Sequence, residues 1–378
     1  MAAIVDRMQI RAVSPGFVMA SRPSLATTPA ADPPDQVTLG PGPVPDYAPV
    51  AALVVHRLAS DLAPAFVSAA MEQLGFGRVE QASVGYQGPR EGFSRDPNLV
   101  WMQDYRPIFV QLPDGSRKLV KFQSPNPTRS QYDGSTSVPV QGPPGQKFFR
   151  FPGQERGQWL TTESVPLLHE PGNQVNAGRQ VIVTDKLLRD NASRPPSEVV
   201  ELFARALERA PDEIVVLPTM PGERTGHADL FVMAVGPSRV MVPCIEPRAL
   251  EQLDYGHEKW LGGQVQAFLD RQAATLEERG LKVDRLPMLA PVYLTDSPNG
   301  WQGAFYSPTN GQILDRTVLL PTFAAEGFPE SYRQLNTSYQ ESWKSYFQEL
   351  GFQPQLLDGT RVGRSYGLFR CLSFPVPR

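Results

Sequence analysis

Several scarcities in this chain narrow its function before any motif is considered. Its 378 residues contain only two cysteines, Cys244 and Cys371. That excludes a disulfide framework, and no Cys/His cluster stands at zinc spacing. No apolar run approaches the roughly 18–20 residues that a membrane helix requires, so no membrane partner is expected. The net charge is only −3 and the Lys and Arg residues are scattered, which gives no case for a nucleic-acid partner. There is no Gly-x-Gly-x-x-Gly and no P-loop, so a nucleotide-binding reading has no anchor. The first twenty residues hold Arg7 and Arg11 but no continuous apolar segment. A secretory signal is therefore not supported, and a cytoplasmic location is the expectation.

Proline, by contrast, is plentiful at 39 residues, and it concentrates early. From Ala12 to Val50 the chain is rich in Pro, Ala, Ser, Thr and Gly without a sustained period. Such a composition buries too little apolar surface to offset its ordering entropy, so residues 1–47 read as a flexible lead-in.

From Ala48 onward, short apolar runs alternate with helical periodicity. Strands are predicted at Leu53–His56, Val181–Thr184, Ile214–Leu217, near Val283–Leu286, at Ile313–Pro321 and at Gln353–Leu357. Helices are predicted at Ala63–Leu74 (ended by Gly75), Glu198–Arg209, Trp260–Arg279 and Ser338–Leu350. A strand ending at Val110 pairs through Pro113-Asp114-Gly115 with Lys118–Phe122, and Leu230–Val235 pairs with Val240–Pro243 through Gly236-Pro237. Ser124–Gly157 is a long polar excursion of the kind that forms lids or binding loops. This rhythm excludes all-α and all-β classes. It suits a doubly wound sheet or a ring of small α/β modules.

Three stretches carry chemistry. His227-Ala228-Asp229 opens an apolar run, and residues i and i+2 of a strand project from one face, so an imidazole and a carboxylate are expected to point together. Trp101-Met102-Gln103-Asp104 precedes the apolar strand Ile108-Phe109-Val110. Gly367-Leu368-Phe369-Arg370-Cys371 places a thiol a few residues from the end of the sequence. Each has an ordinary reading by itself: a solvated strand-start pair, a strand-entry Asp beside a core tryptophan, and a small buried hydrophobe. Cys244, within a hairpin, fits that last reading better.

Together they form a set of one thiol, one imidazole and two carboxylates. Two carboxylates in one site are costly unless a cation binds between them. A guanidinium is planar, permanently charged and presents N–H donors that carboxylates match in pairs. Once oriented, its central carbon lies open to a thiolate, and a nearby His can protonate departing ammonia and then activate water.

At these residues the chain resembles the guanidine-modifying superfamily, the pentein fold, and within it the agmatine deiminases and related bacterial peptidyl-arginine deiminases. Gln103-Asp104-Tyr105-Arg106-Pro107 is similar to the agmatine deiminase pattern Arg-Asp-Tyr-Gly-Pro. Trp101-Met102-Gln103-Asp104 matches the Trp-x-Gln-Asp of animal protein-arginine deiminases. Glu170-Pro171-Gly172-Asn173 resembles the family's Glu-Gly-Gly-Asn turn, and Asn310 falls where a family Asn recurs; read without the family, Glu170 and Asn310 are ordinary turn residues. The similarity runs from about Leu53 to the C-terminus. Two departures stand out: Arg370 precedes Cys371 where the family has His, and Pro171 replaces a glycine.

The resemblance implies a five-module α/β propeller as a single catalytic domain over residues 48–378. It also implies hydrolysis of a guanidino C–N bond through a Cys thiouronium intermediate. Cys371 is then the nucleophile, His227 the general acid/base, and Asp104 and Asp229 the guanidinium ligands, with Trp101, Glu170 and Asn310 as further substrate contacts. No cofactor is implied. The calcium ligands of the animal enzymes find no match after Asp104, so no metal is expected. The partner is a small guanidino compound, agmatine-like, or an arginine side chain. Two other readings use the same residues: an amidinotransferase, and a non-catalytic pentein that binds guanidino ligands. Because neighbours along a strand face oppositely, Arg370 is expected to point away from the thiol.

Overall fold

The computed structural model describes residues 40–56, 59–75, 78–82, 85–86, 92–93, 101–104, 106–125, 138–140, 148–150, 160–253, 256–294, 302–323, 330–363 and 367–378. Five sheets share one strand pattern, in which the second strand runs antiparallel to the first and parallel to the third. The first sheet is Ile108–Gln111, Arg117–Gln123 and Thr161–Leu168. The second is Val175–Ala177, Gln180–Thr184 and Ile214–Leu217. The third is Met233–Gly236, Arg239–Cys244 and Lys282–Pro287. The fourth is Gln312–Leu314, Thr317–Thr322 and Gln353–Asp358. The fifth joins distant parts of the chain: Ser373–Pro377, Val50–His56 and Val79–Ala82. The mixed α/β class expected from the sequence is what is observed.

Local chemistry explains the pattern. The middle strands carry runs such as Val181-Ile182-Val183, buried throughout, which suits strands covered on both faces. Tight hairpins need a residue with positive φ, and each of the four hairpin turns supplies one: Gly115, Gly178, Ser238 and Asp315. The last of these corrects the sequence reading. Ile313–Pro321 is not one strand but a hairpin turned at Asp315-Arg316, a turn without Gly or Pro, in which Asp tolerates the left-handed conformation.

Parallel neighbours need a crossover, usually a helix. Helices Pro64–Leu74, Pro196–Ala206, Gly256–Glu278 and Glu330–Glu349 make that link in the fifth, second, third and fourth sheets. The last begins eight residues before the predicted Ser338. In the first sheet the link is the Ser124–Gly157 excursion, whose described residues pair Val138–Val140 antiparallel with Phe148–Arg150. The lid reading concerns segments outside the described residues.

The end of the lead-in belongs to the fold. Gly42–Pro43 pairs with the first strand of the first sheet, and Asp46 and Tyr47 are packed into the fold. Proline permits this short edge pairing because an edge strand need not donate from every residue.

The cores lie between sheets. One holds Ala52, Val54 and Phe374 of the fifth sheet with Phe109 and Leu119 of the first. Another holds Leu53 and Val55 with Leu314 and Leu319 of the fourth, together with Phe66 and Phe369. The rings of Phe66 and Phe369 stack 4.7 Å apart, which anchors the turn bearing Cys371 to a core helix. Phe369→Ala is expected to lower unfolding free energy by about 3–5 kcal/mol, measurable by urea denaturation.

Candidate active site

Every sheet begins with a tight turn, and the chemistry-bearing residues sit in those turns. Met102–Asp104, Pro171–Asn173, Ala228–Leu230 and Pro308–Asn310 are single 3-10 turns before the first four sheets. Residues 369–372 form the turn before the fifth. The His-x-Asp reading is corrected here: Asp229 lies in a 3-10 turn and the strand starts only at Met233, so strand alternation does not aim these side chains.

Hydrogen bonds pass from turn to turn and return to the first. Gln103 Nε2 donates to the Pro171 carbonyl at 3.4 Å. Asn173 Oδ1 accepts the Ala228 N–H at 3.2 Å. Thr309 Oγ1 and Asn310 Nδ2 donate to the Asp229 carbonyl at 3.0 and 3.5 Å. Asn310 Oδ1 accepts the N–H groups of Leu368 and Cys371 at 3.1 and 3.3 Å. The Gln103 N–H then donates to the Cys371 carbonyl at 3.1 Å.

Within this circuit Asp104, Glu170, His227, Asp229 and Cys371 come together, all buried. His227 lies between two carboxylates, with Nε2 3.1 Å from Glu170 Oε2 and Nδ1 3.7 Å from Asp104 Oδ1. Cys371 Sγ lies 3.8 Å from Asp229 Oδ2. Glu170 Oε2 is also 3.5 Å from Lys186 Nζ, which is shared with Asp190 at 2.6 Å.

The charges follow from that packing. Burial alone would lower the His227 pKa, but Asp104 and the hydrogen-bonded Glu170 outweigh it and raise it to about 9, so the ring is an imidazolium at neutral pH. Burial raises Asp229 to about 6, against the pull of Arg370 and His227. Burial, then the charges of Asp229 and Asp104, push the Cys371 thiol well above its ordinary range. At Cys244, half-buried at the end of a strand, burial pushes the thiol up to about 11. Among the described residues no three His, Cys, Asp or Glu side chains are disposed to hold a metal ion, and no helix is long and apolar enough to cross a membrane.

Three further residues have defined contacts here. Trp101 is half-buried against Gly367, where a Cβ would meet its ring at 2.4 Å, and it also packs on the core around Phe369. Asn310 grips the Cys371 turn. Arg370 does not point away from the site: its residue lies in a turn, and Nε reaches to 3.5 Å from Asp229 Oδ2.

Sequence reasoning missed two others. Gly172 sits where Asp104 and His227 meet, since a Cβ there would lie 2.5 Å from Asp104 Oδ1 and 2.6 Å from His227 Nδ1. Asn173 Oδ1 also accepts the Thr184 N–H and hydroxyl at 3.0 and 2.9 Å. The available signal was the short likeness between Pro171-Gly172-Asn173 and Pro308-Thr309-Asn310, two turns that each end in a bridging Asn.

No protein-family model and no curated protein matches this chain. Solved structures do. The agmatine deiminase of C. jejuni superposes with a TM-score of 0.61 at 12% identity, over 90% of this chain and 97% of that one. The agmatine deiminase of Enterococcus faecalis gives 0.57 at 14% identity, over 90% and 96%. A protein described provisionally as a peptidyl-arginine deiminase gives 0.61 at 12% identity, over 90% and 100%. The chain therefore shares the fold of these proteins, and at such identities its chemistry has to be argued from its own residues.

Gly172→Ala is expected to force Asp104 and His227 apart and to lower the His227 pKa from about 9 toward its ordinary value. An NMR titration of the ring would read this, and an unchanged His227 titration would contradict the packing described.

Proposed function

We propose that this chain is a hydrolase that cleaves a guanidino C–N bond, releasing ammonia and leaving a ureido product. One observation carries the reading: four of the five turns bring one thiol, one imidazole and three carboxylates into one buried cluster. The repeated sheet pattern, with cores joining the fifth sheet to both the fourth and the first, supports arrangement as a five-module α/β propeller around that site. We take residues 48–378 as the catalytic domain, extended by the packed residues 40–47.

Asp104 and Asp229 bind and orient the guanidinium. Its positive charge favours ionisation of Cys371, whose proton passes to solvent as the guanidinium enters and is regained from the protonated ureido group when the C–S bond breaks. The thiolate attacks the central carbon. The His227 imidazolium gives a proton to the departing nitrogen, the C–N bond breaks, and ammonia leaves an amidino group on sulfur. Neutral His227, steadied by Glu170, then takes a proton from water as the water attacks that carbon. The C–S bond breaks and the ureido product leaves. The proposed substrate is a small guanidino compound of the agmatine type, and a panel of agmatine, free arginine and a blocked arginine peptide, scored by ureido formation, tests it. Preference for the peptide would replace the substrate and keep the chemistry. Ammonia release that rises only with an added acceptor amine would instead favour amidino transfer.

Cys371→Ser is expected to reduce turnover by several orders of magnitude in a folded protein, while Cys244→Ser stays near wild type. A dead Cys244 variant beside an active Cys371 variant would remove the nucleophile assignment. The pH profile of kcat/KM should rise as Asp229 ionises near 6 and fall as His227 loses its proton near 9, because the first supplies a counter-charge and the second the general acid. A profile flat across both values would contradict these roles.

A further inference from the structure

Arg370 is buried and tied on the side away from the site. Its Nη2 donates to Asp46 Oδ2 at 2.9 Å and to the Gln174 carbonyl at 3.0 Å. Asp46 is itself fixed by the Asn176 N–H at 3.0 Å and the Asn176 amide at 3.4 Å. A second buried guanidinium, Arg106, stands nearby, held by Gln103 at 2.8 Å and pushed down to about 10 by burial and by Arg370. Asp46 acts on Arg106 as well and shares the Arg370 guanidinium with Asp229. The other edge of Arg370 meets Asp229, with Nε 3.5 Å from Oδ2, the oxygen that also faces Cys371 Sγ. Asp229 Oδ1 is buried without a hydrogen-bond partner among the described residues.

We propose that Arg370 is the built-in counter-ion of Asp229: it occupies the Oδ2 edge from behind, keeps the carboxylate anionic, and leaves Oδ1 for the guanidinium of the ligand. This assignment rests on the deiminase reading for the ligand, but not for the ion pair. Arg370 is a positioning residue, acting through Asp229. The carboxylate is fully buried, and an anion there without a cation would take up a proton and lose its attraction for a guanidinium. The groups that face Asp229 are Arg370 and Cys371 from the last turn, His227 of its own turn, Asp104 and Arg106 from the first sheet, and Glu223 from the preceding loop. Of these, Arg370 is the cation in contact with Oδ2.

The test uses the full chain with Cys244→Ser, so that Cys371 is the only thiol. Its alkylation by iodoacetamide is followed across a pH series, beside the pH profile of kcat/KM on whichever guanidino compound is turned over. Arg370→Gln should move the acid limb and the thiol titration upward by about one pH unit or more, and Arg370→Lys by less. Asp46→Asn removes a like charge and frees Arg370 for Asp229, so both should move downward. Rates that fall equally at all pH in Arg370→Gln, with titrations unmoved, would overturn the proposal. If Arg370→Gln does not fold, Asp46→Asn decides, since no shift or an upward one overturns it. A wild-type protein that turns over no guanidino compound would refute the proposed function, while the thiol titrations would still judge Arg370.

Discussion

The structure turns on negative charge held out of water. Asp104, Glu170 and Asp229 are buried around one imidazole and one thiol, and each ion removed from water costs several kcal/mol unless paired. A unit charge of opposite sign at about 4 Å returns roughly 4 kcal/mol at an effective dielectric near 20. Pairing therefore decides which groups stay charged. His227 lies within that range of two carboxylates and becomes a cation despite burial. A second buried imidazole, His169, lies 3.1 Å from the neutral Gln174 amide and packs against Phe122 and Phe203, and burial holds it uncharged, near 3. The same side chain thus takes opposite states at two buried positions.

Holding those charges in register falls to backbone turns bridged by asparagine. Asn173 and Asn310 each end a 3-10 turn, and each offers a carbonyl oxygen to amides of the turn that follows. An amide side chain suits this task because its oxygen accepts two or three N–H groups without adding charge. An aspartate in either place would add another buried anion. The turns lie at the starts of rigid sheets, so small errors of side-chain position are not absorbed by mobile loops. Gly172 completes the arrangement by having no side chain at the point where His227 and Asp104 approach each other.

Much of this was legible in the sequence. Apolar runs and glycine-marked turns placed most strands and helices, and Asp104, His227, Asp229 and Cys371, read as one set, are brought together and buried by the fold. What failed has physical causes. The strand argument for His227 and Asp229 assumed alternation in a segment that is a 3-10 turn, because apolar residues continue through both and periodicity cannot separate them at this length. The same assumption sent Arg370 to the wrong side of Cys371. Asp315 hid a hairpin because its left-handed backbone carries no glycine signal. The roles of Gly172 and Asp46 depend on contacts across 55 to 324 residues of sequence, which no local pattern reports.

The charge state of the pocket also orders the proposed reaction. Before binding, burial and then the charges of Asp229 and Asp104 keep the proton on the thiol, so a reactive thiolate is not exposed to other electrophiles. A guanidinium changes this by its own charge, which makes the substrate the agent of its nucleophile's activation; a neutral amide or urea of similar shape brings no such charge. The same term acts in reverse at the end. A ureido product is uncharged, so Asp104 and Asp229 no longer attract it as they attract a guanidinium. Release is then favoured by the electrostatics that favoured capture, and binding energy is not carried forward into a tightly held product.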